Sequence, residues 1–397
     1  MKSLLLFIAC TSVQAIGFEA DEDFAELFGE APTSNSQVSG VFEANLVSVD
    51  TPLQNSWGSN QFARLEYQHK QDDNVWVMHT QLDFDYLEDG SLLSLFAKQP
   101  VADRALDLDW QERHDRQLWY AQVDWAYWQR AFNNASITVG RQPVTVGLGR
   151  LFSPLDPLGA FNVFDLDRLY KSGVDAIKLD YFVSDTMQTQ SILTVNQNDK
   201  LQGLQTIKGN LEQGVWLLSA AIREEQHYIS ASLQRYQAWL DADVYGELLY
   251  GDLTSSAQAQ FTTSQQKRAL LGMSTKVGAN GSLTFEFLYQ SLAADEQTDY
   301  RLWQQRYAHS QITPMGLAKR YMALSYSNEW RDLTRYELLA MHNLVDSHST
   351  LSAVVTHSAS DNLQLRLALA WTPKQGIRNS EFEQFADLLQ LGIRYYF

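Results

Sequence analysis

Hydrophobic and polar residues alternate along most of the chain, from about residue 38 to the C-terminus. Between residues 362 and 371 every odd-numbered residue is Leu or Trp, whereas Gln364 and Arg366 lie on the opposite face. Residues 282–290 and 237–250 repeat this period of two. Because successive side chains of a β-strand point to opposite faces, the pattern predicts strands with one apolar and one polar face.

The connections between these segments alternate in length. Tight turns rich in Asn, Asp, Ser and Gly fall at residues 72–74, 133–134, 184–185, 280–281 and 360–362. Longer connections fall at about 147–172, 251–263, 292–316 and 373–383. Short turns on one rim and long loops on the other are typical of transmembrane β-barrels.

A soluble β-sandwich also has alternating strands, so the aromatic residues are needed to choose between the two folds. They cluster toward segment ends, as in the girdles of a membrane barrel: Trp76, Phe84, Tyr86, Trp119, Trp125, Tyr127, Trp239, Tyr250, Tyr326, Trp371 and Tyr395. We therefore predict an all-β fold, a transmembrane antiparallel β-barrel with long extracellular loops and short periplasmic turns.

Counting candidate segments gives about 19 strands, but single-chain bacterial barrels have an even number. The ambiguous region is 88–115, where Ser91–Lys98 and Asp107–Gln111 are one strand, two strands or part of a loop. We predict 18 strands, with 16 as the alternative.

The N-terminus predicts export. Lys2 precedes an apolar run that leads to the small-x-small site Val13-Gln14-Ala15, as in a secretory signal peptide. We expect a signal peptide at 1–15, an acidic periplasmic segment at 16–36 and the barrel at 37–397. Within the acidic segment, residues 19–30 form either a short helix that plugs the barrel or docks a partner, or a disordered tail.

Composition excludes several classes of function. The 47 acidic residues outnumber 30 Lys and Arg, giving a net charge of −17, which disfavours binding to nucleic acid. A single cysteine, Cys10, excludes disulfide scaffolds, cysteine zinc sites and attached c-type haem. The eight His residues show no metal-ligand spacing, and Gly-x-Ser-x-Gly does not occur. We expect no catalytic residues, no cofactor and no metal.

If the apolar positions face lipid, the opposite positions face the interior. Interior candidates on the strands are Arg64, Glu66, His79, Asp83, Asp85, Asp124, Lys178, Asp180, Asp241, Asp243, Glu247, Arg268, Lys276, Glu286, Arg335, Glu337, Arg366 and Arg394. They form either a lattice of ion pairs that stiffens the wall or a field that orients solutes. Ten acids against seven Lys and Arg predict at most a mild cation preference.

The connection 147–172 carries too many apolar residues for a solvated loop, among them Phe152, Leu155 and Phe161. It is expected to fold into the barrel mouth as a constriction, or else to pack on neighbouring loops. In the first case four of its charged residues face the pore: Asp156, Asp165, Asp167 and Arg168.

The last strand places five apolar residues on one face and ends in Phe: Leu389, Leu391, Ile393, Tyr395 and Phe397. This pattern resembles the C-terminal signature of bacterial outer-membrane β-barrel proteins, which implies recognition by the barrel-assembly machinery. Residues 124–127, 139–142, 147–157 and 173–179 are similar to a segment of Gram-negative porin-like families. These include uncharacterised porins, alginate-export barrels and electron-conduit barrels that surround multihaem cytochromes.

Together these patterns predict an outer-membrane porin of a Gram-negative bacterium that passes small polar solutes passively. A sheath or export conduit for a cytochrome or polysaccharide is the first alternative, followed by an outer-membrane enzyme and a soluble periplasmic β-protein. Membrane lipid, the assembly machinery and the solutes are the expected partners, and a periplasmic partner or a homo-trimer is a further option.

Overall fold

A computed structural model describes residues 35–397, except 52–53, 98–100, 102, 157, 159–169, 262, 311, 313–314, 374–379 and 385. The predicted signal peptide, the acidic segment before residue 35, and Asp165, Asp167 and Arg168 lie outside the described residues. The first strand begins at Asn35, two residues before the predicted start of the barrel.

The described residues form 19 strands and two α-helices. The strands are β1 Asn35–Asp50, β2 Asn55–Gln71, β3 Asn74–Leu87, β4 Asp109–His114, β5 Gln117–Ala131, β6 Ala135–Gln142, β7 Val174–Ser184, β8 Met187–Val195, β9 Leu201–Leu211, β10 Gly214–Ile222, β11 Gln226–Gln237, β12 Ala242–Leu253, β13 Gln265–Val277, β14 Gly281–Gln290, β15 Arg320–Trp330, β16 Thr334–Asn343, β17 His348–Ser360, β18 Leu363–Trp371 and β19 Asp387–Tyr396. The helices are α1 Ser255–Phe261 and α2 Tyr300–Ala308, and short 3-10 helices lie at Gly90–Leu95, Gln297–Asp299 and Phe382–Gln384. No helix in the described part of the chain is long and apolar enough to cross a membrane.

Eighteen of the strands close into one antiparallel barrel. Each strand pairs with its neighbour in sequence, except that β3 pairs directly with β5. The ring closes where β19 pairs with β1, from Val41 opposite Tyr396 to Asp50 opposite Asp387. The predicted number of 18 strands is therefore confirmed, and so is the fold class.

The extra strand explains why the sequence count was ambiguous near residues 88–115. β6 is short and pairs only with residues 126–131 of β5. β4 pairs with residues 117–122 of β5, beyond the end of β6. β4 and β6 therefore lie one after the other along β5 and together fill one position in the ring. The described part of the predicted segment 91–98 is not a strand, because residues 90–95 form a 3-10 helix.

The two ends of the barrel differ in their connections. At the end that holds the C-terminus, here called the turn end, the connections are 72–73, 132–134, 185–186, 212–213, 238–241, 278–280, 331–333 and 361–362. Asp72, Asp241 and Arg331 have positive φ there, as tight turns require. The opposite end, here called the loop end, carries the long connections 88–108, 143–173, 254–264, 291–319 and 372–386.

The two faces of the wall differ as the alternation predicts. Leu248 and Leu365 on the outer face are 64% and 45% exposed, whereas Glu247 and Arg366 on the inner face are 1% and 6% exposed. Apolar groups thus cover the outside, and charged groups point inward. This is the reverse of a soluble protein and is what a surrounding bilayer requires.

Two aromatic residues expected in the outer girdles lie inside instead. A β-bulge shifts the register between β3 and β5 at His79 and Thr80. Beyond the bulge Trp125 lies opposite His79, and their rings stack with centroids 4.4 Å apart. Tyr127 lies opposite the buried Val77, so it also faces inward. The bulge adds one residue to β5 and so reverses the face of those that follow.

The outer face is tested by a charge placed on it. We expect Leu248→Arg, in the middle of β12, to cost about 2–4 kcal/mol of folding free energy in a bilayer, because arginine is poorly solvated by lipid. Ser325→Arg on the inner face of β15 is the matched control and should cost much less. Urea titration of folding into lipid vesicles measures both, and equal losses would contradict the assignment of faces.

Candidate functional site

The described parts of the connection 143–173, residues 143–156, 158 and 170–173, are here called the inner loop and lie inside the barrel. Its apolar residues Val144, Val146, Leu155 and Leu158 are buried against inward-facing residues of the wall from β7 to β12: Val174, Ala176, Ile192, Leu204, Leu217, Ala221, Tyr228 and Leu249. Removing these side chains from water favours the inward position, by about 1.5–3 kcal/mol for each large side chain. The loop therefore packs on the inside of the wall rather than only on other loops.

Two wall carboxylates hold the backbone of the inner loop. Glu247 Oε1 accepts hydrogen bonds from the N–H groups of Leu148 and Gly149, the latter at 3.0 Å. Glu286 Oε1 accepts from Arg150 N and Leu151 N at 2.7 and 3.1 Å, and Glu286 Oε2 accepts from Phe152 N at 2.7 Å. Five consecutive loop N–H groups are thus bonded to the wall.

Neighbouring residues complete this attachment. The Tyr245 hydroxyl donates to Glu286 at 2.6 Å, and Phe152 packs in a cluster with Leu270 and Tyr321. Gly147 has a φ of +101°, and a Cβ there would lie 2.8 Å from Glu247 Oε1. Glycine therefore permits both the backbone conformation and the close approach of the loop to the carboxylate.

Asp156 is buried within the inner loop rather than exposed to an open passage. Its carboxylate forms an ion pair with Lys171, and the same ammonium group donates to the carbonyl of Val144. Asp156 is 4% exposed. Lys171, near the end of the loop, thus bonds Val144 at its start and Asp156 in its middle. Asp156 therefore holds the loop together and does not face a pore as expected.

Most predicted interior residues of the strands do face inward, and most are paired. Lys178 lies 3.4 Å from Asp180, which also accepts a hydrogen bond from Gln190 at 2.7 Å. Arg268 donates to the carbonyl of Pro154 in the inner loop at 3.2 Å. Arg366 lies 3.5 Å from Glu43. These contacts support the interpretation of the wall as a lattice of ion pairs.

Asp241 does not lie on the wall. β11 ends at Gln237 and β12 begins at Ala242, so Asp241 is in the turn between them, where it accepts a hydrogen bond from Tyr236 at 2.6 Å. Its φ of +48° marks a turn residue. The sequence pattern predicted that Asp241 lies on a strand, because the residues of this turn continue the alternation of polar and apolar residues found in β12.

A second charged cluster lies on the wall opposite Glu247 and Glu286. Arg64 donates to Asp124 at 2.7 Å and to Glu66 at 3.0 Å, and it lies over the ring of Tyr170 at 4.0 Å. Tyr170 belongs to the far end of the inner loop, so the loop contacts both sides of the barrel. Next to this cluster Glu43 pairs with Arg394.

Fewer charged groups inside the barrel remain exposed than are buried. Arg150 of the inner loop lies 3.1 Å from Asp243, with about a third of each side chain exposed. Arg335 lies 2.9 Å from Glu337, and more than half of each side chain is exposed. Lys276 is also exposed. These exposed groups carry both signs of charge and lie on the inner face of the barrel wall or, for Arg150, on the inner loop.

Sequence reasoning missed several charged residues of this interior, among them Glu43 and Arg150. Glu43 was overlooked because its inward neighbours Val41 and Val47 are apolar, which hides the polar face of β1. Arg150 lies in a loop, where strand alternation gives no signal. The glycines around it, Gly147 and Gly149, were a sign of close backbone contact.

A polar cluster at the loop end ties three connections together. Glu381 is buried and accepts hydrogen bonds from Leu317 N at 2.7 Å, the Tyr321 hydroxyl at 2.6 Å and Asn343 at 2.9 Å. Burial raises the pKa of Glu381 to about 7, and the charge of nearby Asp346 adds to the rise. Among the described residues, no group of three or more His, Cys, Asp or Glu is placed to hold a metal ion.

The closed barrel, the apolar outer face and the loop folded inside define the architecture of an outer-membrane porin. The chain is similar to Acinetobacter baumannii OccAB4, with a TM-score of 0.54 and 8% identity over 93% of this chain and 99% of that one. It is similar to Pseudomonas aeruginosa OccK2 (OpdF) in complex with glucuronate, with a TM-score of 0.57, 9% identity and coverage of 91% and 98%.

A BenF-like porin from Pseudomonas fluorescens Pf-5 has a TM-score of 0.53 and 12% identity, with coverage of 91% of this chain and 98% of that one. No family model and no curated protein matches the sequence. At sequence identities of 8–12%, this structural similarity establishes a shared fold only. The neighbours are porins of the Occ type, and the narrower resemblance to alginate-export and electron-conduit barrels is not confirmed.

The attachment of the inner loop predicts the effect of Glu286→Ala. The change leaves three loop N–H groups and the Tyr245 hydroxyl without their acceptor, which should cost about 3 kcal/mol or more of unfolding free energy. Glu337→Ala removes an exposed ion pair of the same barrel and should cost at most about 1 kcal/mol. Chemical unfolding in detergent compares the two, and equal losses would show that the loop is held by other contacts.

The cluster at the loop end predicts a pH dependence. Because the native state holds the proton of Glu381 more tightly than the unfolded chain, stability should fall as pH rises from about 4.5 to about 7 and then level off. The contribution is about 3 kcal/mol. In Glu381→Gln the thermal midpoint should be lower, since the amide nitrogen cannot accept a hydrogen bond from Asn343. The decrease in stability between about pH 4.5 and pH 7 should be absent in this variant. An unchanged slope in the variant would assign the titration to another group.

Proposed function

We propose that this chain is a passive channel for small polar solutes in the outer membrane of a Gram-negative bacterium. The observation that carries the proposal is the inner loop, bonded by five consecutive N–H groups to Glu247 and Glu286 inside an 18-strand barrel. A loop held inside the barrel in this way would narrow the channel and still leave a passage beside it. Charged residues of both signs line the remaining space, which suits polar solutes and not lipids.

The apolar outer face and the residue patterns near the two chain ends support the proposed position in the membrane. The apolar outer face fits a bilayer, and the N-terminal segment 1–15 has the pattern of a cleaved signal peptide. We infer that the turn end faces the periplasm and the loop end faces outward, as short turns and long loops do in this class. Leu391, Ile393 and Tyr395 point outward on β19, where the assembly machinery is proposed to recognise them.

The alternative of a sheath or export conduit is less well supported. A folded cytochrome or a polysaccharide chain needs an open bore, but the inner loop contacts both walls through Glu286 on one side and Arg64 on the other. Displacing it would break buried hydrogen bonds and expose apolar side chains of the loop. A channel for small solutes requires no such displacement.

Conductance in a planar bilayer tests the proposal. We expect discrete openings of the refolded protein and, under a salt gradient, a reversal potential that shows at most a mild cation preference. Arg150→Glu should increase that preference, because it replaces a cation by an anion beside Asp243 in the narrowed bore. Lys200→Glu makes the same change at an exposed position on the loop end and should have little effect.

Two outcomes would contradict the proposal. A correctly folded barrel that never conducts would show that the inner loop closes the bore. Conductance with equal reversal potentials for the two variants would show that solutes do not pass beside Arg150. In either case circular dichroism and heat-modifiable gel mobility establish folding first.

A further inference from the structure

Within the part of the chain that the structure describes, several buried oxygen atoms behind the inner loop have no hydrogen-bond partner. Among them are Oε2 of Glu247 and the hydroxyl oxygens of Ser230 and Ser232. Glu247 is 1% exposed, and the two serines are 7% and 5% exposed. Buried polar atoms in native proteins are nearly always paired with protein, water or an ion, so this group indicates a bound species.

The strand register brings these three residues together. Ser232 on β11 lies directly opposite Glu247 on β12, and Ser230 is two residues along the same inward face of β11. Directly opposite residues of an antiparallel pair have Cβ atoms about 5 Å apart. On the other side Ser230 adjoins Ser219, whose hydroxyl lies 3.2 Å from that of Thr206. The wall here therefore presents a continuous patch of oxygen atoms.

Among the residues that the structure describes, no Lys or Arg forms an ion pair with Glu247. Arg150 lies against Asp243, and Lys171 forms a buried pair with Asp156. Glu247 Oε1 accepts only from neutral backbone N–H groups, and a second carboxylate, Glu286, holds the adjacent loop residues. An ionised carboxylate in such a buried place requires a positive partner or a proton.

We propose that a small monovalent cation, sodium or potassium, binds between the inner loop and the wall. Its side-chain ligands are Oε2 of Glu247 and the hydroxyl oxygens of Ser232 and Ser230, with water completing the coordination. Hard oxygen ligands suit such ions. A single carboxylate disfavours calcium, which takes six to eight oxygens that usually include several carboxylates. Water molecules alone would form hydrogen bonds with the two hydroxyl groups, but they would not neutralise the charge of the Glu247 carboxylate.

The proposed ion has a structural consequence. Glu247 would bond the loop backbone through one oxygen and the cation through the other, so the ion and the loop share one anchor. Occupancy would then strengthen the attachment of residues 148–149 to the wall. The position of the inner loop would depend on the identity of the cation as well as on ionic strength.

Thermal unfolding of the detergent-purified protein tests this inference without measuring transport. Intrinsic fluorescence of the 11 Trp residues reports the midpoint during titration with sodium or potassium chloride. N-methylglucamine chloride keeps the ionic strength constant, since that cation is too large for the site. We expect a saturable rise of roughly 2–5 °C with sodium or potassium, because a ligand that binds only the native state stabilises it.

Variants locate the ion. In Glu247→Gln the amide can donate to Ser232 in place of the cation, so the protein should fold and its midpoint should no longer respond to sodium. Asp243→Asn removes a carboxylate from the same face of the same strand and should keep the response. Ser230→Ala with Ser232→Ala should raise the half-saturating sodium concentration about tenfold, because two ligands are lost.

Two results would overturn the inference. Equal midpoints in sodium, potassium and N-methylglucamine would mean that water or a proton occupies the site. A full sodium response in Glu247→Gln would place the ion elsewhere. If the double serine variant fails to fold, the titrations of the wild type and of Glu247→Gln still decide between these cases.

Discussion

Every backbone N–H and C=O group that crosses a bilayer needs a partner within the protein, and this constraint determines the structure described above. An open sheet would leave two edges unpaired in lipid, so the sheet closes through the pairing of β19 with β1. Closure fixes the two faces of each strand. The outer face is apolar because it meets lipid, and the inner face collects the polar and charged residues that the outer face excludes.

The crowded inner face creates a second constraint, because buried charges need partners. The chain meets it partly by cross-strand pairs, such as Glu43 with Arg394, and partly by the inner loop. The carboxylates of Glu247 and Glu286 have no wall cation as a direct partner, and they accept hydrogen bonds from loop N–H groups instead. The same bonds satisfy loop backbone groups that would otherwise lie unpaired inside the barrel. The buried carboxylates of the wall and the backbone N–H groups of the inner loop therefore supply each other's hydrogen-bond partners.

The period of two was enough to predict the barrel and the inward position of most charged strand residues, because each depends only on which face a strand residue occupies. The number of 18 strands also required the rule that such barrels have an even number, since the count of segments gave about 19. It failed where the backbone departs from regular pairing. The bulge at His79 turned Trp125 inward, and the turn at Asp241 removed that residue from the wall. The burial of Asp156 depends on Lys171, fifteen residues away across an irregular loop, and no local pattern reports such a contact.

The pairing that closes the ring joins residues at opposite ends of the sequence: Glu43 and Arg394 are 351 positions apart. Contacts so distant in sequence form slowly, because the intervening chain must first be ordered. Until β19 is in place, β1 and β18 both present free edges that can pair with another copy of the chain. During biogenesis the molecule thus passes through a long interval in which it is open to aggregation. A protein that covers these edges before insertion would suppress that aggregation.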